Sequence, residues 1–403
     1  MDNLMANPYK ILLLDTGKEW GGGTNSLLEL LKRIDRQRFQ ISCVFYYNYA
    51  RGPGENIESV CKEIGIPIDF LPQRTQPIWA KMLKEGLRAV CFFSRAARKY
   101  MTQRIDQIWR IRPYALKISQ ILQHGQYDCL YMNNQPLSNV EGYWAAAMAK
   151  KPILQHCRIE PSLPSFVVNL LNQSAGRVIG VSYGVVETLV KAGVEAKKCT
   201  VVLNGIDPTQ PLPSPDAVRQ RYQLNDFIFG AVGSLITRKG IHFLLAAAAK
   251  LDRSCAWKIL LVGEGPQKPH LIQQAQALGI ADRVIFAGFQ PQPLPYIAAM
   301  DVCMLCSAQE GLPRILLEAM LLEKPIIASA VTGSREVVRH EQTGLLVPYA
   351  DVRALTHAMQ TLLTSAKRHT WGKAGRKVVE TEYTITQYVH GVETILDEVC
   401  TTF

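Results

Sequence analysis

Residues 301–329 read DVCMLCSAQEGLPRILLEAMLLEKPIIAS. An apolar run from Asp301 to Cys306 meets a polar turn, then a helical pattern opening at Pro313, then a second apolar run, PIIAS. This strand–helix–strand order implies two parallel strands joined by a crossover helix. Pro313 suits the first turn of a helix, where its missing N–H costs nothing. The unpaired N–H groups of that turn and the helix dipole make an anion site.

The same alternation fills the chain. YKILLLD, FQISCVFYY, DCLYMNN, PILQHC and RVIGVS read as strands with helical segments between them, TNSLLELLKRI and EGYWAAAMAKK among these. Near 204–215 the texture changes to NGIDPTQPLPSP, rich in proline, which reads as a linker. The pattern restarts with FIFGAVGSL, WKILLVGEG, RVIFAGF, DVCMLCS and PIIAS. The expectation is an α/β protein of two doubly wound parallel-sheet domains facing across a cleft. The first covers 1–203, with a basic helical segment at 79–117, and the second 216–385. A last helix at 386–403 packs back on the first domain. The cleft is the default ligand site.

Composition narrows the class. At 403 residues the chain suits about two domains, each with its own core. The N-terminal MDNLMANPYKILLLDTG lacks the basic region and cleavage site of a signal peptide. No run approaches the roughly 20 apolar residues of a membrane span. A cytoplasmic protein is expected, with peripheral attachment to the inner face of the membrane as one option. The ten cysteines sit in apolar segments, as buried free thiols do. Cys303 and Cys306 have redox spacing, but in a strand they point to opposite faces, so core packing is the favoured reading.

Net charge is +11. Between Lys81 and Lys117 ten Lys or Arg face two acids, Glu85 and Asp106. Trp79, Phe92, Phe93, Tyr100 and Trp109 interleave with them. Two readings stand side by side: a surface at 79–112 for anionic headgroups or an acidic substrate, or a solvated basic helix with aromatics in the core. A helix break is expected near Pro113. Nothing resembles a base-reading module, so no nucleic-acid partner is expected.

Two further stretches face the cleft. GKEWGGGTNS (17–26) follows the first strand and opens a helix, so Gly22 and Gly23 can approach a phosphate. It lacks the Gly-Lys-Ser/Thr of a P-loop and the spacing of a dinucleotide fingerprint. GSLITRKG (233–240) places Arg238 and Lys239 at a strand's C-terminal edge, where cations suit a phosphate. Glu310 precedes the helix at Pro313 and Glu318 lies in its second turn, seven residues intervening. Helical side chains lean toward the N-terminus, so both carboxylates can flank one ligand. Carboxylates repel bare phosphate but accept hydrogen bonds from hydroxyls. A diphosphate between two hydroxyl-rich rings, a nucleotide sugar, satisfies every part.

These residues resemble the retaining glycosyltransferases of family 4, or group 1, with the GT-B fold. EGLPRILLEA matches their E-x7-E motif. The resemblance extends over VSYGV near Ser182, VLNGID, RKG at 238–240, LVGEGP, VIFAGF, TGSREVV and TGLLVP. It implies that Glu318 holds the donor ribose and Glu310 the hydroxyls of the transferred sugar. Lys239 and Arg238 would neutralise the diphosphate. The backbone of Gly311 and Leu312 would line the sugar and phosphates. His156 would stand as the active-site histidine, and Gly22 and Gly23 would meet the donor phosphate or shape the acceptor site. Ser234 stands where many members carry Arg.

The resemblance further implies transfer from a nucleoside-diphosphate sugar to a glycan or lipid-linked acceptor, with front-face attack. No Asp-x-Asp motif is present, so neither a metal nor another cofactor is expected. A nucleotide-sugar 2-epimerase of the same fold and a non-enzymatic polybasic membrane-binding protein are the competing readings.

Overall fold

The strand–helix alternation resolves into two parallel sheets. The computed structural model describes residues 7–15, 20–50, 54–90 and 94–402. The first sheet is built from β1 (Tyr9–Asp15), β2 (Phe39–Phe45), β3 (Ile68–Phe70), β4 (Cys129–Asn133), β5 (Ile153–Cys157), β6 (Ala175–Gly180) and β7 (Cys199–Val201), in the order β3-β2-β1-β4-β5-β6-β7. The second contains β8 (Phe227–Val232), β9 (Trp257–Val262), β10 (Val284–Gly288), β11 (Val302–Leu305), β12 (Ile326–Ser329) and β13 (Gly344–Val347), in the order β10-β9-β8-β11-β12-β13. The apolar run of β1 is buried over its last five residues, as a central strand covered on both faces requires. In each sheet the order reverses beside the first strand, between β1 and β4 and between β8 and β11. The crevice at such a switch point is where ligands bind in open α/β sheets.

The strands absent from the sequence reading, β3, β7 and β13, have three or four residues each and lie at sheet edges. Runs this short hold too few repeats for a strand period to be read. Cys303 and Cys306 fall in different apolar clusters on the two sides of the second sheet. Burial pushes both thiols up to about 12, so they stay protonated.

The basic segment folds as helices Ile78–Val90 and Arg95–Asp106. Near Pro113 the chain does not stop. A π-helical turn at Gln107–Ile111 leads straight into the helix Arg112–His124, with Pro113 in its second position. The wider turn makes room for a ring that would crowd the preceding carbonyls. Phe92, Phe93 and the side chain of Tyr100 lie outside the described residues.

The chain passes from one sheet to the other after β7 and comes back at Thr384. There Ile206 N donates to Tyr383 O at 2.9 Å, and Ile385 N donates to Ile206 O at 2.8 Å. The helix Ile385–Thr402 then buries Tyr388, Val392 and Leu396 against Ile11, Leu13 and Leu30 of the first sheet's core. Leu396→Ala should therefore lower stability by about 2–5 kcal/mol. Denaturant titration followed by far-UV circular dichroism measures this, and an unchanged midpoint would show that the tail adds nothing to that core.

Candidate active site in the interdomain cleft

The helix that carries Glu318 runs Arg314–Leu321, and Pro313 is its extended cap, with φ −73° and ψ 106°. The helix thus opens one residue later than the position of the proline suggests. Glu318 Oε1 accepts from Arg314 Nε at 3.0 Å, one turn back, as the lean of helical side chains allows. Arg314 also reaches the Gly205 carbonyl at 3.4 Å. Glu310 accepts from Lys239 Nζ at 2.6 Å and lies 3.9 Å from Arg238 Nη1. Arg238 donates to the Gln309 carbonyl at 2.6 Å. Glu310 is 7% and Glu318 8% exposed, so each carboxylate needs its cation to offset lost hydration.

Lys239 is delivered by the loop after β8. Gly233, Ser234 and Leu235 lead into a 3-10 turn, Thr237–Lys239, which Gly240 ends at φ +65°. A Cβ on Gly240 would also lie 2.1 Å from the Cys306 carbonyl oxygen. Only glycine tolerates both demands, and the turn aims Lys239 at Glu310. Ser234 and Lys239 line a small recess beside this loop.

Across the cleft stands the helix Gly22–Arg33. Gly17, Lys18 and Glu19 of the glycine-rich stretch lie outside the described residues. Gly21, the cap, offers no side-chain oxygen, so the first N–H groups of the helix receive no side-chain cap. A Cβ on Gly22 would meet Arg314 Cβ at 3.9 Å, and one on Gly23 would meet Arg158 Cγ at 3.7 Å. This helix N-terminus therefore lies between two arginines, a setting that favours an anion. On one side of it opens a cavity of about 540 Å³, lined by Asp15, Thr24, Tyr46, Asn133 and Arg158. On the other is a cavity of about 290 Å³ shared by both domains, lined by Asn25, Lys32, Pro293, Arg314 and Glu318.

Asp15 ends β1 and accepts from Asn133 at 2.6 Å and from Asn134 at 3.1 Å. Arg158 donates to Asn133 Oδ1 at 2.8 Å and to the Tyr388 hydroxyl at 3.2 Å. Burial works against its charge, but Tyr388, Tyr131 and Asp15 together raise its pKa. Arg158 and Arg314 were not singled out from sequence. Both had a usable signal: each is a cation at the mouth of an expected strand or helix.

His156 is not brought to this site. It is fully buried within β5 and lines neither cavity. Its Nδ1 lies 2.7 Å from the Tyr131 hydroxyl, and its buried Nε2 has no partner. Burial and then the nearby Arg158 charge hold its pKa well below the usual imidazole range, so the ring is neutral. Among the described residues no group of three His, Cys, Asp or Glu side chains could hold a metal ion.

The two domains meet closely around Glu310. A Cβ on Gly311 would lie 2.1 Å from the Arg158 carbonyl oxygen. Asn204 Nδ2 donates to Leu312 O at 3.1 Å, and Gln309 Nε2 to Glu160 O at 3.0 Å. Glu336 of the second domain accepts from the N–H groups of Tyr183 at 2.9 Å and Gly184 at 2.8 Å. Its carboxylate caps the N-terminus of the helix Tyr183–Lys191 in the first domain.

Two outcomes follow from this geometry. Gly311→Ala should hold the domains apart, and small-angle scattering should report a larger radius of gyration; an identical profile would mean the contact yields without moving the domains. A histidine kept neutral by the fold makes folding less favourable once the unfolded chain binds the proton. Stability should thus fall as the pH drops below about 6.5, and fall less steeply in His156→Gln. Parallel pH profiles for the two proteins in urea titrations would mean that His156 titrates normally.

Residues 226–365 match the family model described as group 1 glycosyl transferases. The chain is 37% identical over 147 residues to the 2-deoxystreptamine N-acetyl-D-glucosaminyltransferase of Streptomyces fradiae, a match spanning 35% of each protein. It is 24% identical over 285 residues to the capsular polysaccharide biosynthesis glycosyltransferase CapM of Staphylococcus aureus, or 65% of this chain and 75% of that one. The crystal structure of Anabaena HepE in complex with UDP and glucose superposes with a TM-score of 0.79 at 24% identity, over 96% of this chain and 99% of HepE. The chain has the GT-B fold of two Rossmann-like domains, and residues 226–365 of the second are similar to the group 1 glycosyl transferases.

Proposed function

We propose that this protein is a retaining glycosyltransferase that moves a sugar from a nucleoside-diphosphate sugar to a glycan or lipid-linked acceptor in cell-surface polysaccharide or glycolipid synthesis. The observation that carries the reading is the pairing of both glutamates with cations at the mouth of one helix, Glu318 with Arg314 and Glu310 with Lys239, opposite a helix N-terminus without a side-chain cap. A bound nucleotide sugar would exchange these internal partners for its own groups. The ribose hydroxyls go to Glu318 and the sugar hydroxyls to Glu310. The diphosphate goes to Lys239, Arg238, Arg314 and the amides at Gly22 and Gly23. Ser234 and the backbone of Gly311 and Leu312 line the same path.

As the sugar–phosphate bond breaks, negative charge grows on the diphosphate and positive charge on the sugar ring. Cations and amides already aimed at the diphosphate stabilise that charge without reorganising. They supply what a divalent metal supplies elsewhere, so the proposed transfer needs none. The acceptor hydroxyl, entering from the larger cavity, attacks on the face the diphosphate leaves, and the diphosphate takes its proton. The names of the matched relatives favour transfer over 2-epimerisation.

A thermal-shift panel with UDP, GDP, ADP and their common sugars tests the donor site. One diphosphate should raise the melting temperature, since ligand at a hundred times its Kd adds about 2.7 kcal/mol of stability. Glu318→Ala and Lys239→Ala should lose that shift, each read against its own ligand-free melting temperature, which the loss of an ion-pair partner lowers. Equal shifts in wild type and variants would remove both residues from the donor site, and no shift with any nucleotide would sink the transferase reading.

A further inference from the structure

The helix Ile78–Val90 is set on the protein the wrong way round for a helix that serves the core. Ile78, Met82 and Val90 are spaced at helical repeats, with Trp79 and Leu83 beside them, and together they form one apolar face. That face points to solvent: Ile78 is 77% exposed, and Met82 and Val90 are 68% each. The side turned inward carries Ala80, which is buried, with Leu87 and the charged Lys84 half-buried beside it. Lys84 Nζ reaches Asp106 at 2.6 Å and lies 5.9 Å from the centre of the Trp109 ring. A soluble helix with this sequence would gain by rotating its apolar face inward. The Lys84–Asp106 pair holds it in the opposite orientation.

Charge identifies the occupant. Lys81 and Arg88 are exposed, flanking the apolar face seven residues apart. The two acids of the segment are both engaged by bases, Asp106 by Lys84 and Glu85 by Arg88 at 2.6 Å. With ten bases against two acids over residues 81–117, the surface presents apolar side chains with a net positive charge beside them. A second copy of the chain would bring like charges together. An anionic lipid surface accepts both features at once, the apolar side chains entering the headgroup boundary and the bases meeting phosphates. No helix among the described residues is long and apolar enough to cross a membrane.

We propose that the outward face of helix Ile78–Val90 docks the protein on an anionic bilayer. The neighbouring turn Gln107–Ile111 extends the surface with Ile108, 65% exposed, while Arg110, two residues on, lines the 540 Å³ cavity of the first domain. Docking therefore brings that cavity close to the lipid headgroups. This inference stands apart from the donor site, since none of its residues belongs to the glutamate helix or the Lys239 loop.

Flotation of the full chain with vesicles tests it, comparing equimolar phosphatidylcholine and phosphatidylglycerol with pure phosphatidylcholine. The wild type should float with the anionic vesicles at low salt, and weakly or not at all with the neutral ones. Met82→Ser with Leu83→Ser should cut partitioning about tenfold, and Lys81→Glu with Arg88→Glu should do the same. Both pairs are exposed, so melting temperature and nucleotide-induced shifts should match wild type. Wild-type protein that stays with the soluble fraction, or variants that float equally well, would overturn the proposal. So would light scattering that shows a dimer in the wild type and a monomer in the Met82→Ser, Leu83→Ser variant, because the face would then belong to a second copy.

Discussion

Close contact between the Gly311 backbone and the carbonyl of Arg158 is the constraint on which the site depends. Gly311 follows Glu310 and precedes Leu312, whose carbonyl is held by Asn204 at the start of the crossover between the domains. Arg158 follows β5 and spans Asn133, Asn204 and Tyr388. One point of contact therefore fixes the glutamate loop of one domain against the arginine of the other. It also sets the helix Gly22–Arg33 opposite Arg314. A side chain at position 311 would push each of these groups away from its partner.

Charge distribution in the cleft follows from that approach. Two nearly buried carboxylates would be costly alone, and each sits within 3.0 Å of a cation from the same domain. Arg158 donates to the Tyr388 hydroxyl and lies in the field of Asp15. Positive groups thus gather on both sides of the helix that begins at Gly22, while the carboxylates stay at the mouth of Arg314–Leu321. That separation suits a ligand whose charge lies in its middle and whose hydroxyls lie at its ends.

Sequence made the central strands and the glutamate helix legible because burial on both faces writes a strong apolar pattern. The edge strands β3, β7 and β13 escaped because at three or four residues each they are too short to show a strand period. The helix Tyr183–Lys191 has its local cap in Ser182, which the motif VSYGV contains, but the second cap, Glu336, comes from more than a hundred residues away and leaves no local trace. His156 was raised by the resemblance alone, and in this structure Tyr131 and Tyr388 enclose its ring. Lys239, Arg238 and Glu310 were found together because loops after parallel strands must converge on one edge of the sheet.

The chain crosses between the domains twice, and the crossings are stitched to each other where Ile206 meets Tyr383 and Ile385. Two adjacent strands of backbone joined by hydrogen bonds behave as a hinge pin rather than as a tether. Sliding one domain along the other would shear that stitch, whereas rotation about it would leave it whole. The cleft should therefore open like a book, widest at the edge far from Ile206, and under the proposed function the donor and its diphosphate product would pass through that outer edge.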